Sequence, residues 1–266
     1  MHSLVVKSNQ QALQCSQRVS FLLTMSKIAL NAKFKALFIV FVLMALINEA
    51  WGQTTDDYRT AGNVTFAAAT NWELYNGTAW VAAAAAPSSA NNVITIRNGH
   101  IATLTANRSL DQVVIENGGT LTVNTGVTLT IAIGAGTDCA VSGTLNNSGS
   151  ITTTGTLVFN ANSTYNHTRN GGVIPTATWN TSSNCNVTGV TNTVPTGIDQ
   201  TFGNFAWNCT GQGANNLDVF FTSPRNFSGS FSVLSTGTTG SVRLTQNTAR
   251  TLNVAGNLVL SGGTLN

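Results

Sequence analysis

The fold class predicted for this 266-residue chain is all-β: a parallel, right-handed β-helix of short strands, carried behind a signal peptide. Three observations predict it. Charged residues make up only 8% of the chain, against about a quarter in an ordinary globular domain. From Asn92 onward, short runs alternate Val, Ile or Leu with Thr and are broken by Gly and Asn. The tripeptide Gly-Thr-Leu recurs at 119–121, 143–145, 155–157 and 263–265, the first two copies 24 residues apart and the next pair 12. The low charge excludes a coiled coil, an ordinary helical bundle and an acidic disordered tail. An imperfect period with short strands marks a solenoid. The rival is a β-sandwich, whose strands run longer and do not repeat a tripeptide in register.

Residues 25–52 read as a secretory signal peptide. The unbroken apolar run Ala36–Ile47 follows Lys33 and Lys35 and precedes Ala50-Trp51-Gly52, with small residues at −3 and −1 of a cut after Gly52. At 12 residues the run is short for a spanning helix, which needs about 18, so no stable membrane span is expected after cleavage. Met25 stands at a normal distance from the run, and residues 1–24 read as an upstream over-extension.

Cleavage changes the charge. The formal net charge of +3 is misleading, because residues 1–52 hold four Lys and one Arg against one Glu, a net +4. Residues 53–266 hold seven Arg against eight Asp and Glu, a net −1, with no Lys. No electrostatic footprint for nucleic acid is left.

Residues 53–91 differ in rhythm and read as an N-terminal cap, holding Trp72, Tyr75 and Trp80 within nine positions. These three form either an aromatic platform for sugar rings or, for two of them, a plug at the end of the core. Residues 92–160 read as β-helix rungs: Val93–Ile96 ends at Asn98-Gly99, Gln112–Ile115 ends at Asn117-Gly118-Gly119, and two further runs flank Gly126. Asn-Gly and Gly-Gly supply the positive φ that sharp corners need. One coil cannot bury enough side chains to offset its own ordering, so rungs must stack. Between 161 and 216 the strand pattern weakens and irregular, loop-rich rungs are expected. Residues 217–266 resume it, Phe227–Val233 being echoed by Val254–Leu260 at an offset of 27. The sequence stops in mid-rung at Gly263-Thr264-Leu265-Asn266, which reads as the front piece of a longer protein.

Asn71-Trp72, Tyr75–Trp80, Asn92–His100 and Leu110–Leu121 together resemble the N-terminal region of large secreted bacterial surface proteins with parallel β-helix repeats. Such proteins are often exported by the type IX secretion system and end in a C-terminal sorting domain, which is absent here. The resemblance implies surface display and adhesion-like or matrix roles, and carries over no functional residue.

Chemistry-bearing motifs are few. No His-x-x-x-His, Cys-x-x-Cys or Asp-rich calcium loop occurs, so neither metal nor cofactor is expected. His167 and Arg169, within Tyr165-Asn166-His167-Thr168-Arg169, are the candidate ligand-binding pair on a loop; His100 reads as a solvated corner residue. Asp111 and Glu116 are the carboxylates that neighbouring corners could bring together. Cys185 and Cys209 lie 24 apart, one nominal rung, and are a candidate disulfide, while Cys139 reads as a buried apolar residue. The expected role is a cell-surface, extracellular structural or adhesive module that meets polysaccharide or other surface components through Thr/Asn-rich faces. The alternative is a carbohydrate-active β-helix enzyme, a lyase or glycosidase, whose active rungs lie beyond Asn266.

Overall fold

Alternation of apolar and polar residues converts directly into strands whose odd and even positions face opposite sides. The computed structural model describes residues 52–219, 224–244 and 249–266. The over-extension at 1–24 and all of the signal peptide but Gly52 lie outside them; Gln53–Asn266 forms one compact unit. It begins with β1 (Tyr58–Thr60), β2 (Val64–Thr65) and a hairpin of β3 (Trp72–Tyr75) and β4 (Trp80–Ala82). Three-strand coils follow: β5 (Ile94–Ile96), β6 (Ile101–Leu104) and β7 (Arg108–Leu110); β8 (Val113–Ile115), β9 (Thr120–Val123) and β10 (Thr128–Ile131); β11 (Cys139–Val141), β12 (Thr144–Asn147) and β13 (Ser150–Thr153). Two coils then keep two strands each, β14 (Leu157–Phe159) with β15 (Thr164–His167) and β16 (Thr178–Trp179) with β17 (Asn184–Val187). The remainder is β18 (Asn204–Asn208), β19 (Asn216–Asp218), β20 (Arg225–Phe227), β21 (Phe231–Ser235), β22 (Ser241–Arg243), β23 (Leu252–Val254) and β24 (Leu258–Leu260).

Stacking these coils produces the predicted parallel β-helix. Sheet A runs β16-β14-β11-β8-β5-β1 in parallel and ends in the antiparallel hairpin β3-β4. Sheet B is continuous and nine-stranded, β2-β6-β9-β12-β15-β17-β18-β21-β24, while sheet C holds only β13-β10-β7. Beyond β13 the third face is reduced to a bridge between Val173 and Thr196, then resumes as the pair β19-β22.

The rungs are shorter and less uniform than a 24-residue repeat. On sheet B the chain of neighbours is Thr120, Thr144, Thr164, Asn184 and Asn204, so one step of 24 is followed by three of 20. Later steps lengthen, Phe205 pairing with Phe231 and Phe231 with Leu258. The 27-residue echo is a true register: Phe227, Phe231 and Val233 sit beside Val254, Leu258 and Leu260.

Gly-Thr-Leu marks a corner, not one face. Leu121 and Leu145 are neighbours on sheet B, Leu157 pairs with Cys139 on sheet A, and Leu265 bridges Val242. Its glycine is needed because successive corners touch backbone to backbone: a Cβ on Gly143 would lie 2.2 Å from the Gly119 carbonyl oxygen and 2.3 Å from that of Glu116.

The core changes character along the axis. Its first coils are aliphatic, with Ile94, Ile96, Val113, Ile115, Leu121 and Leu145 essentially inaccessible. From β14 it becomes aromatic: Phe159 stacks on Trp179 at 4.2 Å and 9°, Trp179 meets Phe202 at 5.0 Å, and Phe205 stacks on Phe231 at 5.8 Å and 4°. Each buried ring contributes about 1.5–3 kcal/mol. The stretch 161–216, where the sequence pattern weakens, therefore holds β15, β17 and β18 in unbroken sheet B register, with β16 on sheet A. Its inward strand positions are filled mainly by Tyr165, His167, Cys185, Phe205 and Trp207, with Val187 the aliphatic residue among them.

Candidate functional site

Outward positions on sheet B build two columns of neutral polar side chains. One is Thr120, Thr144, Thr164, Asn184 and Asn204; the other is Thr122, Asn146, Asn166 and Asn186. Register alone aligns them, and the amides then lock together. Asn166 Nδ2 donates to Asn146 Oδ1 at 2.8 Å, Asn186 Nδ2 to Asn166 Oδ1 at 3.0 Å, and Asn204 Nδ2 to Asn184 Oδ1 at 3.2 Å. The result is a flat face whose hydrogen-bonding groups are held in place before any ligand arrives.

A polar groove of about 460 Å³ lies at the corner where sheet C stops. Three successive coils line it: Thr125 and Thr128 from one, Ser148 and Ser150 from the next, and Thr168, Arg169 and Asn170 from the third. Ser148 and Thr168 share a hydroxyl hydrogen bond of 2.7 Å across the rungs. Asn170 clamps the following turn, its Oδ1 accepting the backbone N–H groups of Thr191, Asn192 and Thr193 at 2.9 to 3.0 Å. Arg169 Nη1 donates to the Gly149 carbonyl and, at 2.9 Å, to Ser150 Oγ. Among the described residues no strand pairs with the far side of β13, and Arg169 supplies the Gly149 carbonyl with a donor there.

The structure separates His167 from Arg169. They are two apart on one run, yet His167 belongs to β15 and points inward, wholly buried, while Arg169 lies beyond the strand end at the groove. His167 is therefore a core residue and not a loop ligand. Nε2–H donates to the Gly171 carbonyl at 2.7 Å, Tyr165 Oη–H donates to Nδ1 at 3.2 Å, and Asn147 Nδ2 donates to Tyr165 Oη at 2.9 Å. Burial pushes the His167 pKa below its usual 6.5, the Gly171 carbonyl opposes this, and the Arg169 charge adds to it. The ring is held neutral. His100 is half-buried and bonded through Nδ1 to Thr60 Oγ1 at 2.8 Å, so it too is tied to the structure.

The three N-terminal aromatics do not form one platform. Trp72 faces inward from β3 and packs at 5.0 Å on Phe66 and 6.4 Å on Tyr58, plugging the core. Tyr75, three residues on, faces outward and pairs with Trp80 across the hairpin at 5.4 Å. Two residues that the sequence reading missed complete this patch. The Arg59 guanidinium lies 4.1 Å from the centroid of the Trp80 ring and is held by Glu73 at 2.6 Å, so one face of Trp80 is already covered.

No disulfide joins Cys185 to Cys209. Both are free and buried, as is Cys139. The rung here is 20 residues, so Cys185 sits beside Phe205, and Cys209 falls four positions further on. Burial raises Cys139 to about 12 and Cys209 to about 11.

Among the carboxylates, Asp111 lies near Asp138 and not Glu116, which accepts the Asn98 N–H at 2.9 Å. Asp138 is buried, which by itself raises its pKa. Hydrogen bonds from the Thr156 and Gly134 N–H groups, each 2.6 Å, and from the Thr156 hydroxyl outweigh burial and hold it low. Asp111 is raised, by burial first and by the Asp138 charge second. Among the described residues no three His, Cys, Asp or Glu side chains converge as a metal site would require.

No family model matches the chain, and no curated protein or solved structure is significantly similar to it. The site is therefore read from geometry alone. The groove residues were hard to find in the sequence because Thr128, Ser148 and Thr168 are isolated polar residues until coils of about 20 are laid one above another. That spacing is the signal that would have found them.

Proposed function

We propose that this chain is a secreted, cell-surface β-helical module with a structural or adhesive role, meeting extracellular polysaccharide or neighbouring surfaces through its Thr/Asn-rich sheet. One observation carries the reading: the amide ladder Asn146–Asn166–Asn186, flanked by the Thr column, is an ordered, uncharged array repeated at rung spacing. Polyhydroxylated chains present repeating donors and acceptors, and a rigid array meets them with little further ordering cost. Many weak contacts along one axis then add as avidity. Export is supported by the apolar run Ala36–Ile47 with its basic flank and small residues before a cut at Gly52. The bacterial-surface resemblance and a type IX route belong to this proposal on the same footing.

The test is retention of the full chain on a panel of immobilised polysaccharides, for the parent and for an Asn166→Leu/Asn186→Leu double variant. The parent is expected to be retained on at least one matrix and the variant to lose retention while keeping its β-rich circular dichroism. Equal retention of both proteins would remove the ladder face from the account.

A further inference from the structure

We infer that the groove at Arg169 takes a carboxylate-bearing sugar of an acidic polysaccharide, with the guanidinium as its anion fork and the rung hydroxyls as partners for sugar hydroxyls. The inference rests on the polysaccharide-binding reading above. It adds a charge requirement that the neutral ladder face does not have.

Charge comes first. Among the described residues Arg169 is the one charged side chain on the groove wall, and no carboxylate pairs with it. Arg59, Arg225 and Arg243 are each matched to an acid, Glu73, Asp199 and Asp218 respectively. The rest of the wall offers hydroxyls and an amide, which bind a polyol without repelling an anion.

Geometry narrows the ligand. Both hydrogen bonds of Arg169 come from Nη1, to Gly149 and Ser150 at the end of sheet C, so among the described residues the Nε and Nη2 hydrogens have no partner. Those two nitrogens form the side-on edge of the guanidinium, whose parallel N–H bonds match the two oxygens of a planar carboxylate. Gly172 makes room for this pose: a Cβ there would lie 2.8 Å from Arg169 Nε and 2.9 Å from Cζ. Anchoring through Nη1 also removes rotamer freedom before binding, which lowers the ordering cost of the contact. The groove volume, about 460 Å³, is within the range of small-ligand pockets. Sealing the Gly149 carbonyl is a structural duty of Arg169 as well, but it employs one nitrogen and leaves the opposite edge idle.

The experiment compares binding of the full chain to polygalacturonate and to its fully methyl-esterified form, which shares the sugar backbone but carries a neutral methyl ester in place of each carboxylate, with dextran sulfate as a third probe. Polygalacturonate is expected to bind about tenfold more tightly than the ester, in a salt-dependent manner. Arg169→Gln is expected to reduce polygalacturonate binding to the level of the ester. Arg169→Lys, which keeps charge but not the fork, is expected to lose most of the preference. Thr125→Asp alters an exposed groove residue without touching the Arg169 anchor, so it guards against a folding defect; it is expected to have the same effect as Arg169→Gln. Equal binding of acid and ester by the parent, or an acid preference that survives in Arg169→Gln, overturns the inference while leaving the neutral surface reading intact. Dextran sulfate bound as tightly as polygalacturonate, with Arg169→Lys equal to the parent, overturns the carboxylate fork. Failure to bind any polysaccharide removes both proposals.

Discussion

Gly143→Ala, set against Gly126→Ala, isolates what holds neighbouring rungs at their spacing. Gly143 has no positive φ, so its backbone accepts alanine, but the new Cβ would lie 2.2 Å from one carbonyl oxygen and 2.3 Å from another. Both belong to the coil below and to main chain, so neither can swing aside. Relief requires the corners to separate by about 1 Å from their present contact, since ordinary contact begins at 3.4 Å. That movement strains the bonds Gly143 N–H to Ile115 O at 3.2 Å and Thr144 N–H to Gly119 O at 2.9 Å. Overpacking costs about 1–3 kcal/mol and two weakened hydrogen bonds about 1 kcal/mol each. Gly143→Ala should therefore lower stability by about 3–5 kcal/mol. Gly126 is the opposite case: its φ is +76°, yet nothing lies within 4 Å of the added carbon. Only the left-handed backbone is penalised, at about 1–2 kcal/mol. The assay is urea unfolding of the two full-length variants, followed by tryptophan fluorescence through the buried Trp72, Trp179 and Trp207. A Gly143→Ala midpoint no lower than that of Gly126→Ala would refute the idea that backbone contact between corners sets the rung.

Two further outcomes follow from the core. Because burial lowers the His167 pKa, the folded ring stays neutral where the unfolded ring, with its usual value of 6.5, takes a proton. Its stabilising contribution is present above about pH 6.5 and is lost as pH falls through the folded value, by at most about 1.4 kcal/mol per pH unit; urea midpoints measured on the acid side should fall more steeply for the parent than for His167→Gln, and equal slopes would contradict the neutral buried ring. Cys185 and Cys209 should resist a thiol reagent in the native chain and react without prior reduction once unfolded, mapped by peptide mass; a linked peptide pair would contradict the 20-residue rung.

Legibility followed the chemistry of the inward positions. Residues 92–160 could be read because Ile94, Leu121, Leu129 and Ile131 alternate with Thr, and one strand suffices to reveal that period. Residues 161–216 could not, because inward positions there are Tyr165, His167 and Cys185, side chains that look polar or reactive in isolation. In the sequence His167 reads as a ligand for that reason: what makes it structural is Asn147, 20 residues back, which bonds its partner Tyr165 at 2.9 Å. Trp72 and Trp80 are similar in sequence and opposite in role, since the antiparallel hairpin turns one inward and lays the other beneath Arg59.

What the amino-acid order determined by itself is local: strand and corner, inward and outward faces, the glycines at tight turns, the near-absence of charge, and so the parallel β-helix class. Alternation and positive φ act over two to four residues and need no partner. Only the tertiary structure decided which residues are neighbours across rungs, and with that the Asn ladder, the free thiols and the groove at Arg169. Each lateral contact depends on the summed length of every corner between the two residues. A coil of 20 in place of 24 therefore brings Phe205 beside Cys185 and carries Cys209 past it.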